Sequence, residues 1–525
     1  MKTKSKSFKI TYSTLNTNQM ERVHQKFDSA LMDVKNDCGD HYSNWVNGKT
    51  IQGANTLKLR SPINQNLILG YFTQATHEQT AEAVQAAKDA FAAWNQMGWK
   101  ARCALLQTAA GLIRDRKYYL AAVMTLEVGK NRLEALGDVE ESADLISYYC
   151  QIMEENNGFV RQMDRLAANE NVMGYLVPFG VWGVIAPFNF PMALSAGMAA
   201  GALATGNTVV YKPSSDAPWT GVLLNKVFVE AGLPDGVFNL LNGAGSIIGE
   251  ELVTNDNVDG LVFTGSKIVG MDIYQRFSKH YPKPCIIEMG GKNPAIVTQN
   301  GNLDTAAEGI MRSAFGFGGQ KCSACSRAYI EESVFHEFLE LLLHKTKSLI
   351  IGDPTDQDTF LGPLINSNAY NDFQSYIDSA HKDGTVLTGG KLYSRSNLDN
   401  GFFVEPTIIT NLEEDHPLVK SELFCPILYI RSVKNLGEAL TFANDTEYGL
   451  TAGFFSEDQE EIDLFFNTIR AGVTYVNRRS GATTGAWPGV QPFCGWQSSG
   501  STGKGCCGPY YVTQFMREQS RTVMT

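Results

Sequence analysis

The sequence predicts an α/β protein built around a doubly wound parallel sheet, and two observations carry that prediction. Between residues 183 and 288, short apolar strands alternate with helical segments, which is typical of a parallel sheet with helices on both faces. The composition, with 49 glycines and 43% hydrophobic residues, indicates a turn-rich globular chain. At 525 residues the chain is too long for one core, so we expect two or three domains.

The first part of the chain is predicted to be mostly helical. Residues 1–40 are polar and compatible with a helix, and two short strands are expected at 45–49 and 57–62. Apolar residues at helical spacing predict amphipathic helices at 77–93, 101–115, 119–128 and 132–153. Residues 158–179 are again strand-like and are expected to form an arm.

Strand, turn and helix then alternate along the chain. The predicted strands of this region are 183–187, 208–212, 237–241, 260–264 and 284–288. A second series of strands is expected at 328–330, 406–409, 427–430 and 472–476. Because ligands of such sheets bind at the carboxyl ends of the strands, the turns that follow them are the places to look for chemistry. The tail, 510–525, is expected to add a strand to another element or another subunit.

Charge and cysteine usage narrow the class of protein. The formal net charge of -11 argues against nucleic acid or an anionic membrane as the main partner. Ten scattered cysteines in so long a chain favour a reducing, cytoplasmic setting over a disulfide framework. The start of the chain lacks an apolar segment typical of a secretory signal. The longest uncharged run, 171–211, contains three prolines and is interpreted as strands and a helix, not as a membrane span.

The segment at 315–327 presents a cysteine after three glycines. Glycine lets the backbone pass close to a substrate, and the cations Lys321 and Arg327 flank Cys322, which favours a reactive thiolate. The alternatives are a buried structural cysteine, half of a disulfide, or a metal or redox site formed with Cys325. A metal site would require further ligands at suitable spacing, and no histidine lies near in sequence.

Three polar residues follow or adjoin predicted strands. Glu288 ends a strand ahead of two glycines, where partial desolvation would raise its pKa and make it a general base. Asn189 lies in an apolar turn and could donate to an oxyanion, or could equally cap the helix that starts near Pro191. Lys212 ends another strand, where the ribose of a nucleotide would lie. Two glycine-rich turns, at 243–249 and 263–270, could bind a pyrophosphate, although neither has the GxGxxG pattern.

Taken together, these motifs resemble the aldehyde dehydrogenase superfamily over residues 45–520. The matching segments are PFNFP at 187–191, YKP at 211–213, FTGS at 263–266, EMGGKN at 288–293, GGQKC at 318–322 and ELF at 422–424. They occur in the family's order. The resemblance implies a Rossmann-type NAD-binding domain, an α/β catalytic domain and a small β oligomerisation arm.

The resemblance also implies a role for each matching residue. Cys322 would be the nucleophile, Asn189 would hold the oxyanion, and Glu288 would activate the water that hydrolyses the thioester. The residues that would bind NAD are Lys212, Ser215, Gly265, Ser266, Glu422 and Phe424. No metal is implied.

A narrower resemblance lies in residues 319–327 and 484–493, which look like the 1-pyrroline-5-carboxylate dehydrogenases that oxidise L-glutamate γ-semialdehyde in proline degradation. It implies that the hydroxyl of Ser323 and the backbone N–H groups of Gly485 and Ala486 anchor the substrate carboxylate. Such an arrangement suits a carboxylate without a buried countercharge. The remaining substrate-binding residues implied are Phe190, Phe493 and Glu141, the last facing the ammonium group.

The sequence departs from the family's pattern at three places. Ser215 stands where an acidic residue often favours NAD, so NADP is also admissible. Cys425 and Cys494 stand where glycines are expected. The alternatives that stay open are a dehydrogenase for another carboxylated semialdehyde, such as aminoadipate or succinate semialdehyde, a cysteine hydrolase, and a catalytically silent binding protein.

The resemblance further predicts a division of the chain and its partners. The expected segments are 1–157 (N-terminal segment and first part of the NAD-binding domain), 158–179 (oligomerisation arm), 180–295 (NAD-binding domain), 296–488 (catalytic domain) and 489–525 (C-terminal oligomerisation segment). The expected partners are a small aldehyde substrate and copies of the same chain, in a homodimer or a larger homo-oligomer.

Overall fold

The computed structural model describes residues 16–53, 55–395 and 398–525, and the first fifteen residues of the helix-compatible stretch lie outside it. The helices are α1 (Thr17–Asn36), α2 (His77–Gln96), α3 (Trp99–Asp115), α4 (Lys117–Val128), α5 (Arg132–Glu155), α6 (Ala193–Ala204), α7 (Pro218–Glu230), α8 (Glu250–Thr254), α9 (Lys267–Phe277), α10 (Leu303–Phe315), α11 (Phe335–Lys347), α12 (Ser367–Asp383), α13 (Pro417–Lys420), α14 (Leu436–Asn444) and α15 (Gln459–Thr468). The strands are β1 (Asp40–Tyr42), β2 (Asn44–Val46), β3 (Lys49–Ile51), β4 (Thr56–Arg60), β5 (Ile68–Thr73), β6 (Val160–Gln162), β7 (Glu170–Pro178), β8 (Val181–Ile185), β9 (Thr208–Lys212), β10 (Phe238–Leu240), β11 (Gly260–Thr264), β12 (Cys285–Glu288), β13 (Asn293–Val297), β14 (Cys325–Glu331), β15 (Thr385–Thr388), β16 (Thr407–Thr410), β17 (Ile427–Val433), β18 (Tyr448–Gly449), β19 (Thr451–Phe455), β20 (Val473–Val476), β21 (Trp496–Gln497) and β22 (Met516–Met524).

The predicted doubly wound sheet is present. Its seven strands run in the order β12-β11-β8-β9-β10-β2-β3, and β8 to β12 are parallel to one another. Ile185 pairs with Lys212, and Thr264 pairs with Glu288, so the carboxyl ends of four strands meet at one edge. The strand order in the sheet reverses direction relative to the chain, because β8 lies between β11 and β9. In sheets of this kind a crevice forms at the carboxyl edge where the order reverses.

A second seven-stranded sheet has the order β15-β16-β17-β14-β13-β19-β20. Adjacent strands in this sheet are parallel, except that β15 is antiparallel to β16. The connection between the two sheets is short, because β12 ends at Glu288 and β13 begins at Asn293. Residues 289–292 therefore cross from one sheet to the other.

Helix α6 is composed mainly of small residues because it is enclosed by its neighbours. Eleven of its twelve residues are buried, and it packs against α5. At Gly197 an added Cβ would lie 2.9 Å from Cδ1 of Leu145, so a side chain there would push the two helices apart. This close packing fixes the turn that precedes α6, which contains Asn189.

The predicted arm is a three-stranded antiparallel sheet with the order β22-β7-β6. The tail adds β22 to β7, from the pair Met516 and Pro178 to the pair Met524 and Glu170. Before the strand begins, Phe515 is buried with its ring centroid 4.5 Å from that of Trp182. The prediction that the tail adds a strand to another element is confirmed.

The uncharged run at 171–211 contains most of β7, then β8, α6 and most of β9, as the sequence predicts. Among the helices of the described ranges, none combines the length and the apolar character that crossing a bilayer requires.

Candidate active site

The nucleophile candidate, Cys322, lies in the turn between α10 and β14 and is held there by an asparagine. The Nδ2 of Asn293, at the start of β13, donates to the carbonyls of Cys322 at 2.7 Å and Ala324 at 2.9 Å. An added Cβ at Gly291 would lie 2.6 Å from the Cys322 carbonyl oxygen. The connection between the two sheets therefore passes directly against the nucleophile turn, where only glycine fits.

The backbone before Cys322 requires glycine for a second reason. Phe317, Gly318 and Gly319 have φ angles of 51°, 64° and 68°, in the left-handed region that is costly for most residues. An added Cβ at Gly319 would lie 2.4 Å from the Cys425 carbonyl oxygen. The glycines that marked this segment in the sequence thus serve the turn's own conformation.

The expectation that Lys321 and Arg327 favour a thiolate at Cys322 is wrong. The Lys321 ammonium pairs with Glu134 at 2.6 Å, and the guanidinium of Arg327 donates to backbone carbonyls, including that of Lys292 at 2.7 Å. Burial raises the pKa of the Cys322 thiol, and the neighbouring carboxyl groups of Glu422 and Glu288 raise it further. The resting sulfur is a protonated thiol, which requires a base to become a nucleophile.

The base candidate, Glu288, is at the end of β12 and close enough to Cys322 to influence its pKa. Burial raises the pKa of this carboxyl to about 8, partly opposed by a hydrogen bond from the Gly495 N–H. Its Oε2 is buried and has no hydrogen-bond partner within the described residues. A carboxyl group that has one oxygen without a hydrogen-bond partner and a pKa near neutrality can accept a proton and release it again.

Asn189 is 3% exposed and lies in the turn between β8 and α6. The alternative that it caps the helix is wrong. Met192 is the N-cap residue of α6 and makes no side-chain cap bond, while the Ala193 N–H donates to Oδ1 of Asp138 at 2.7 Å. In the described chain, the buried Oδ1 of Asn189 has no partner. Oδ1 is an acceptor, so the group that would donate to an oxyanion is the Nδ2 of the same side chain.

A buried ion pair that the sequence analysis missed supports this turn. The Nζ of Lys130 lies 2.7 Å from Oδ2 of Asp138, and both side chains are fully buried. The same ammonium lies 3.7 Å from the centroid of the Phe190 ring, within the range of a cation–π contact. Lys130 and Asp138 thereby hold the residues on both sides of Pro191. Lys130 lies between two predicted helices and Asp138 within one of them, and neither position gave a sign of this role.

Two of the expected cofactor residues are buried ionisable groups that form no ion pair with any described residue. The Nζ of Lys212 donates to the Pro213 carbonyl at 2.9 Å, and burial lowers its pKa to about 8. Oε1 of Glu422 accepts the Gly291 N–H at 3.1 Å, and burial raises its pKa to about 7. An added Cβ at Gly290 would overlap the Glu422 carboxyl group. The Lys212 and Glu422 side chains are therefore suited to hydrogen-bond the hydroxyls of a ribose rather than to pair with each other.

The turns around the first sheet complete the cofactor crevice. Ser266 is the N-cap of the eleven-residue helix α9 and accepts the Val269 N–H at 3.4 Å, immediately after Gly265. The hydroxyl of Ser215 donates to the Gly243 carbonyl at 3.2 Å and joins the turn after β9 to the first glycine-rich turn. Since the N-terminus of a helix of this length attracts anions, the residues present fit the pyrophosphate of a dinucleotide.

Phe424 lies beside the turn that contains Asn189. Its φ of 55° is unusual for a residue with a side chain, and its ring meets that of Phe188 edge to face with centroids 5.8 Å apart. The structure thus brings the segment at 422–424 and the turn that contains Asn189 together.

The expected carboxylate anchor has unpaired donors. The Ser323 carbonyl accepts the hydroxyl of Thr483 at 2.7 Å, which fastens the nucleophile turn to the loop carrying Gly485 and Ala486. Across residues 16–53, 55–395 and 398–525, the N–H groups of Gly485 and Ala486 have no acceptor. Gly485 has a φ of 100°, which requires glycine. These amides are free to bind a carboxylate.

Two of the other expected substrate residues, Phe493 and Glu141, are near Cys506. The N–H of Phe493 donates to the Cys506 carbonyl at 2.7 Å. Cys506 in turn is close enough to Glu288, Cys322 and Glu141 to influence or respond to their charge. Burial raises the pKa of Glu141 to about 8, with Asp138 adding to the effect. Cys506 is a site residue that the sequence did not indicate, because its neighbours come from distant segments.

Cys322 and Cys325 are both free thiols, and the buried Cys325 sulfur donates to the Arg327 carbonyl at 3.5 Å. In the part of the chain that the structure describes, no group of three or more histidine, cysteine or acidic side chains could hold a metal ion.

Comparison with known proteins gives a consistent result. The sequence model of the aldehyde dehydrogenase family matches residues 45–520. The chain is 36% identical over 509 residues to 1-pyrroline-5-carboxylate dehydrogenase of Geobacillus sp. (strain WCH70), covering 96% of each sequence. It is 36% identical over 499 residues to the enzyme of that name from Bacillus subtilis (strain 168), covering 94% of this chain and 95% of the other.

Solved structures are similar over nearly the whole chain. A structure of 1-pyrroline-5-carboxylate dehydrogenase from Thermus with bound NAD superposes with a TM-score of 0.93 at 33% identity, covering 99% of this chain and all of the other. Betaine aldehyde dehydrogenase of Staphylococcus aureus in complex with NAD+ gives a TM-score of 0.89 at 27% identity, covering 95% and 97%. The similarity extends over both seven-stranded sheets and over the crevice between them.

Proposed function

This chain belongs to the aldehyde dehydrogenase family, and from that premise we propose that it oxidises L-glutamate γ-semialdehyde, formed from 1-pyrroline-5-carboxylate, to L-glutamate with NAD in proline degradation. One observation carries the proposal furthest. The nucleophile turn and the loop with the two free amides are fastened together through Ser323 and Thr483, so the segments that carry the reacting thiol and the proposed carboxylate anchor are in contact.

The chemistry begins at the protonated thiol of Cys322. The thiol proton passes to water as the sulfur attacks the aldehyde carbon to give a thiohemiacetal. The Asn189 amide and the Cys322 N–H would donate to the oxygen that becomes negative in this step. A bound NAD, held by Lys212 and Glu422, would supply the acceptor for the hydride of this carbon, and a thioester would remain on the sulfur. Glu288 then takes a proton from water, the water attacks the thioester, and the acid and the free thiol are released.

The substrate's other end would be bound away from the sulfur. The hydroxyl of Ser323 and the N–H groups of Gly485 and Ala486 would hold its carboxylate. Phe190 and Phe493 would enclose the aliphatic chain. Glu141 would face the ammonium, and that positive charge would lower the pKa of the Glu141 carboxyl from its raised value and keep it ionised.

Lys212 and Glu422 would bind the two riboses, and Gly265 and Ser266 would bind the pyrophosphate. Phe424 would pack beside the nicotinamide ribose. Ser215 neither repels a 2′-phosphate nor binds the 2′-hydroxyl strongly, which supports use of NADP beside NAD. A steady-state comparison of kcat/KM for the two coenzymes with glutamate semialdehyde measures the preference.

The primary test is the formation of NADH from glutamate semialdehyde by the wild type and by Cys322→Ala. We expect the substitution to reduce turnover to background, because no other thiol occupies the place of Cys322. Cys325→Ala is the matched control, since its sulfur is buried three residues away and is expected to leave most of the activity. Wild-type protein that forms no NADH or NADPH with any aldehyde would disprove the proposal.

The carboxylate anchor is tested with Ser323→Ala. We expect the variant to raise KM for glutamate semialdehyde by roughly tenfold, the loss of one hydrogen bond to a charged group, and to leave KM for propanal within about twofold. Aminoadipate and succinate semialdehydes measured in parallel decide which carboxylated substrate is preferred. Equal effects on glutamate semialdehyde and propanal would remove the anchor from the proposal.

We further propose a cytoplasmic homo-oligomer joined through the arm and the tail. In support, the arm and its added strand expose apolar side chains: Met163, Leu166, Val523 and Met524 are between 50% and 101% exposed. The domain boundaries at 157, 179, 295 and 488 stay predictions.

A further inference from the structure

Arg478 lies just beyond β20, at the base of the loop that carries the free amides. Its Nη2 donates to the Gly485 carbonyl at 2.8 Å, and its Nε donates to the hydroxyl of Ser480 at 3.2 Å. The guanidinium carbon is 4.7 Å from the centroid of the Tyr475 ring. Its third nitrogen, Nη1, is buried and has no hydrogen-bond partner in the described residues. One part of this guanidinium therefore holds the loop, and another part lies against Tyr475.

The charge of Arg478 is not balanced by a carboxylate. Among the described residues, no acidic oxygen lies within 4.0 Å of its guanidinium. The next residue provides the contrast, because Arg479 is 57% exposed and pairs with Asp304 at 2.8 Å. A partly buried arginine without a counterion destabilises the fold. Binding of an anionic ligand nearby would offset this cost.

The bond to Gly485 also sets the direction of an anchoring amide. The described chain has no cis peptide bond, and in a trans peptide the C=O and the N–H point in opposite directions. The carbonyl of Gly485 faces Arg478, so the N–H of Ala486, in the same peptide unit, faces away from it. An added Cβ at Gly485 would lie 2.5 Å from Nη2, so glycine is what lets the guanidinium come so close.

We propose that Arg478 determines specificity for aldehydes that carry a carboxylate. It orients the peptide between Gly485 and Ala486 so that the amide meets the carboxylate, and it adds a positive charge behind that amide. The inference rests on the proposed function and goes further by naming the residue that makes the loop selective for an anion. It is a positioning residue and takes no part in bond making at the aldehyde carbon.

A purely structural role is the competing explanation, since Arg478 also joins two parts of its own loop. The two roles differ in what they change. A loosened loop would impair all aldehydes alike, whereas a lost carboxylate anchor impairs only those with a carboxylate. The ratio of kcat/KM between a carboxylated and an uncharged aldehyde separates the two.

The experiment uses the full-length chain with Arg478→Met and Arg478→Lys, and with Arg479→Met as the matched control. Kinetics are measured with NAD on glutamate semialdehyde and on propanal. We expect Arg478→Met to lower kcat/KM for glutamate semialdehyde about tenfold or more relative to propanal, mainly through KM, because a charged donor is lost. Arg478→Lys keeps the charge but not the planar fork, and should recover part of the ratio. Arg479→Met should match the wild type.

Binding of the product provides a readout that does not depend on turnover. Titration of L-glutamate into each variant by calorimetry should show affinity reduced about tenfold in Arg478→Met and unchanged in Arg479→Met. If Arg478→Met fails to fold, as judged by its melting curve, the same comparisons are made with Arg478→Lys alone. An unchanged ratio and unchanged glutamate affinity in a folded Arg478 variant would overturn the inference.

Different kinetic results would contradict the role of Arg478 and the proposed function. If the wild type prefers propanal to glutamate semialdehyde, the proposed substrate is wrong. If the wild type prefers glutamate semialdehyde and the Arg478 variants keep that preference, the substrate stands and only the role of Arg478 is wrong. Equal losses on both substrates would assign Arg478 to the structure of the loop.

Discussion

At the scale of single residues, burial has the largest influence on the ionisable groups of the site. It raises the pKa of Cys322, Glu288 and Glu422 and lowers that of Lys212. Each shift favours the uncharged form, so the crevice carries little net charge of its own. A site of this kind stabilises charge that arrives with a ligand or develops during the reaction.

The raised pKa of Glu288 predicts a pH-dependent gain of stability in Glu288→Gln. In the unfolded chain the carboxyl ionises near its ordinary value of 4.5, whereas in the folded chain it ionises near 8. Between pH 4.5 and pH 8 the carboxyl is ionised in the unfolded chain but protonated in the folded chain. Rising pH therefore lowers the free energy of the unfolded state only, and the wild type loses stability. The Tm advantage of the glutamine variant should grow from pH 5 to pH 8 and then level off.

Thermal melts of the wild type and of Glu288→Gln across this pH range measure the effect, which should reach about 1 to 3 kcal/mol. The exposed Glu332→Gln variant is the control and should follow the wild type. A constant difference between the Glu288 variant and the wild type at all pH values would contradict the assignment.

The same residue predicts a change in kinetics. Without Glu288, water must attack the thioester unaided, so Glu288→Gln should release one NADH per site in a burst and then turn over slowly. In the wild type, steady-state turnover should rise with pH towards about 8, as the carboxyl ionises. Stopped-flow NADH traces measure the burst, and a variant with full steady-state turnover would exclude Glu288 as the base.

At the scale of elements, the N-terminus of α6 depends on an ion pair between Asp138 of α5 and Lys130, two residues before that helix. Asp138 accepts the Ala193 N–H with one oxygen and the Lys130 ammonium with the other. Removing one partner of such a pair leaves a buried charge uncompensated, which usually costs 3–5 kcal/mol, roughly.

Asp138→Ala should therefore lower the free energy of unfolding by about 3 kcal/mol or more, measured by urea denaturation. Adding Lys130→Met should restore part of that loss, because the unpaired ammonium is removed. Glu230→Ala, which breaks the exposed pair with Arg116, is the control and should cost about 1 kcal/mol or less. If the double variant is no more stable than Asp138→Ala, the stranded ammonium is not the source of the cost.

Elements differ in how far the sequence predicts them. The four helices from 77 to 155 were predicted close to their observed bounds because each has an apolar face at helical spacing. Strands β13 and β19 were missed. Every residue of β13 and β19 is buried, so neither strand shows the alternation that marks a half-exposed strand.

The site was predictable where its residues belong to a local motif. Cys322, Glu288 and Lys212 each follow or adjoin glycines and strand ends, and the structure places all three at the edges of the two sheets. The partners of Lys321 and Arg327 could not be read from the sequence, since adjacency along the chain does not show which distant carboxylate or carbonyl a cation meets. For the same reason the sequence did not indicate Arg478.

At the scale of the whole molecule, the arm is a sheet whose side chains are largely exposed to solvent in a single chain. Eight of the nine residues of β22 are exposed, although the strand is fully paired with β7. Apolar side chains on an exposed sheet usually mark an interface.

Deleting residues 517–525 should convert the proposed oligomer into smaller species, because β7 loses its partner strand. Light scattering coupled to size-exclusion chromatography measures the mass, which for a single full-length chain is 57.7 kDa. The buried Phe515 and Trp182 contact stays intact in this truncation, so the melting curve should show that the rest of the chain folds. Full-length protein that elutes as a single chain would contradict the oligomer.

The four residues that join β12 to β13 also restrict how such a protein can diversify. Glu288 ends one sheet and Asn293, which fixes the Cys322 carbonyl, begins the other. Exchange of either sheet with a homologue, in the laboratory or by recombination, changes the partner across this short bridge. A chimera joined within 289–292 should inherit base and nucleophile from different parents, and its activity would report how interchangeable the two halves are.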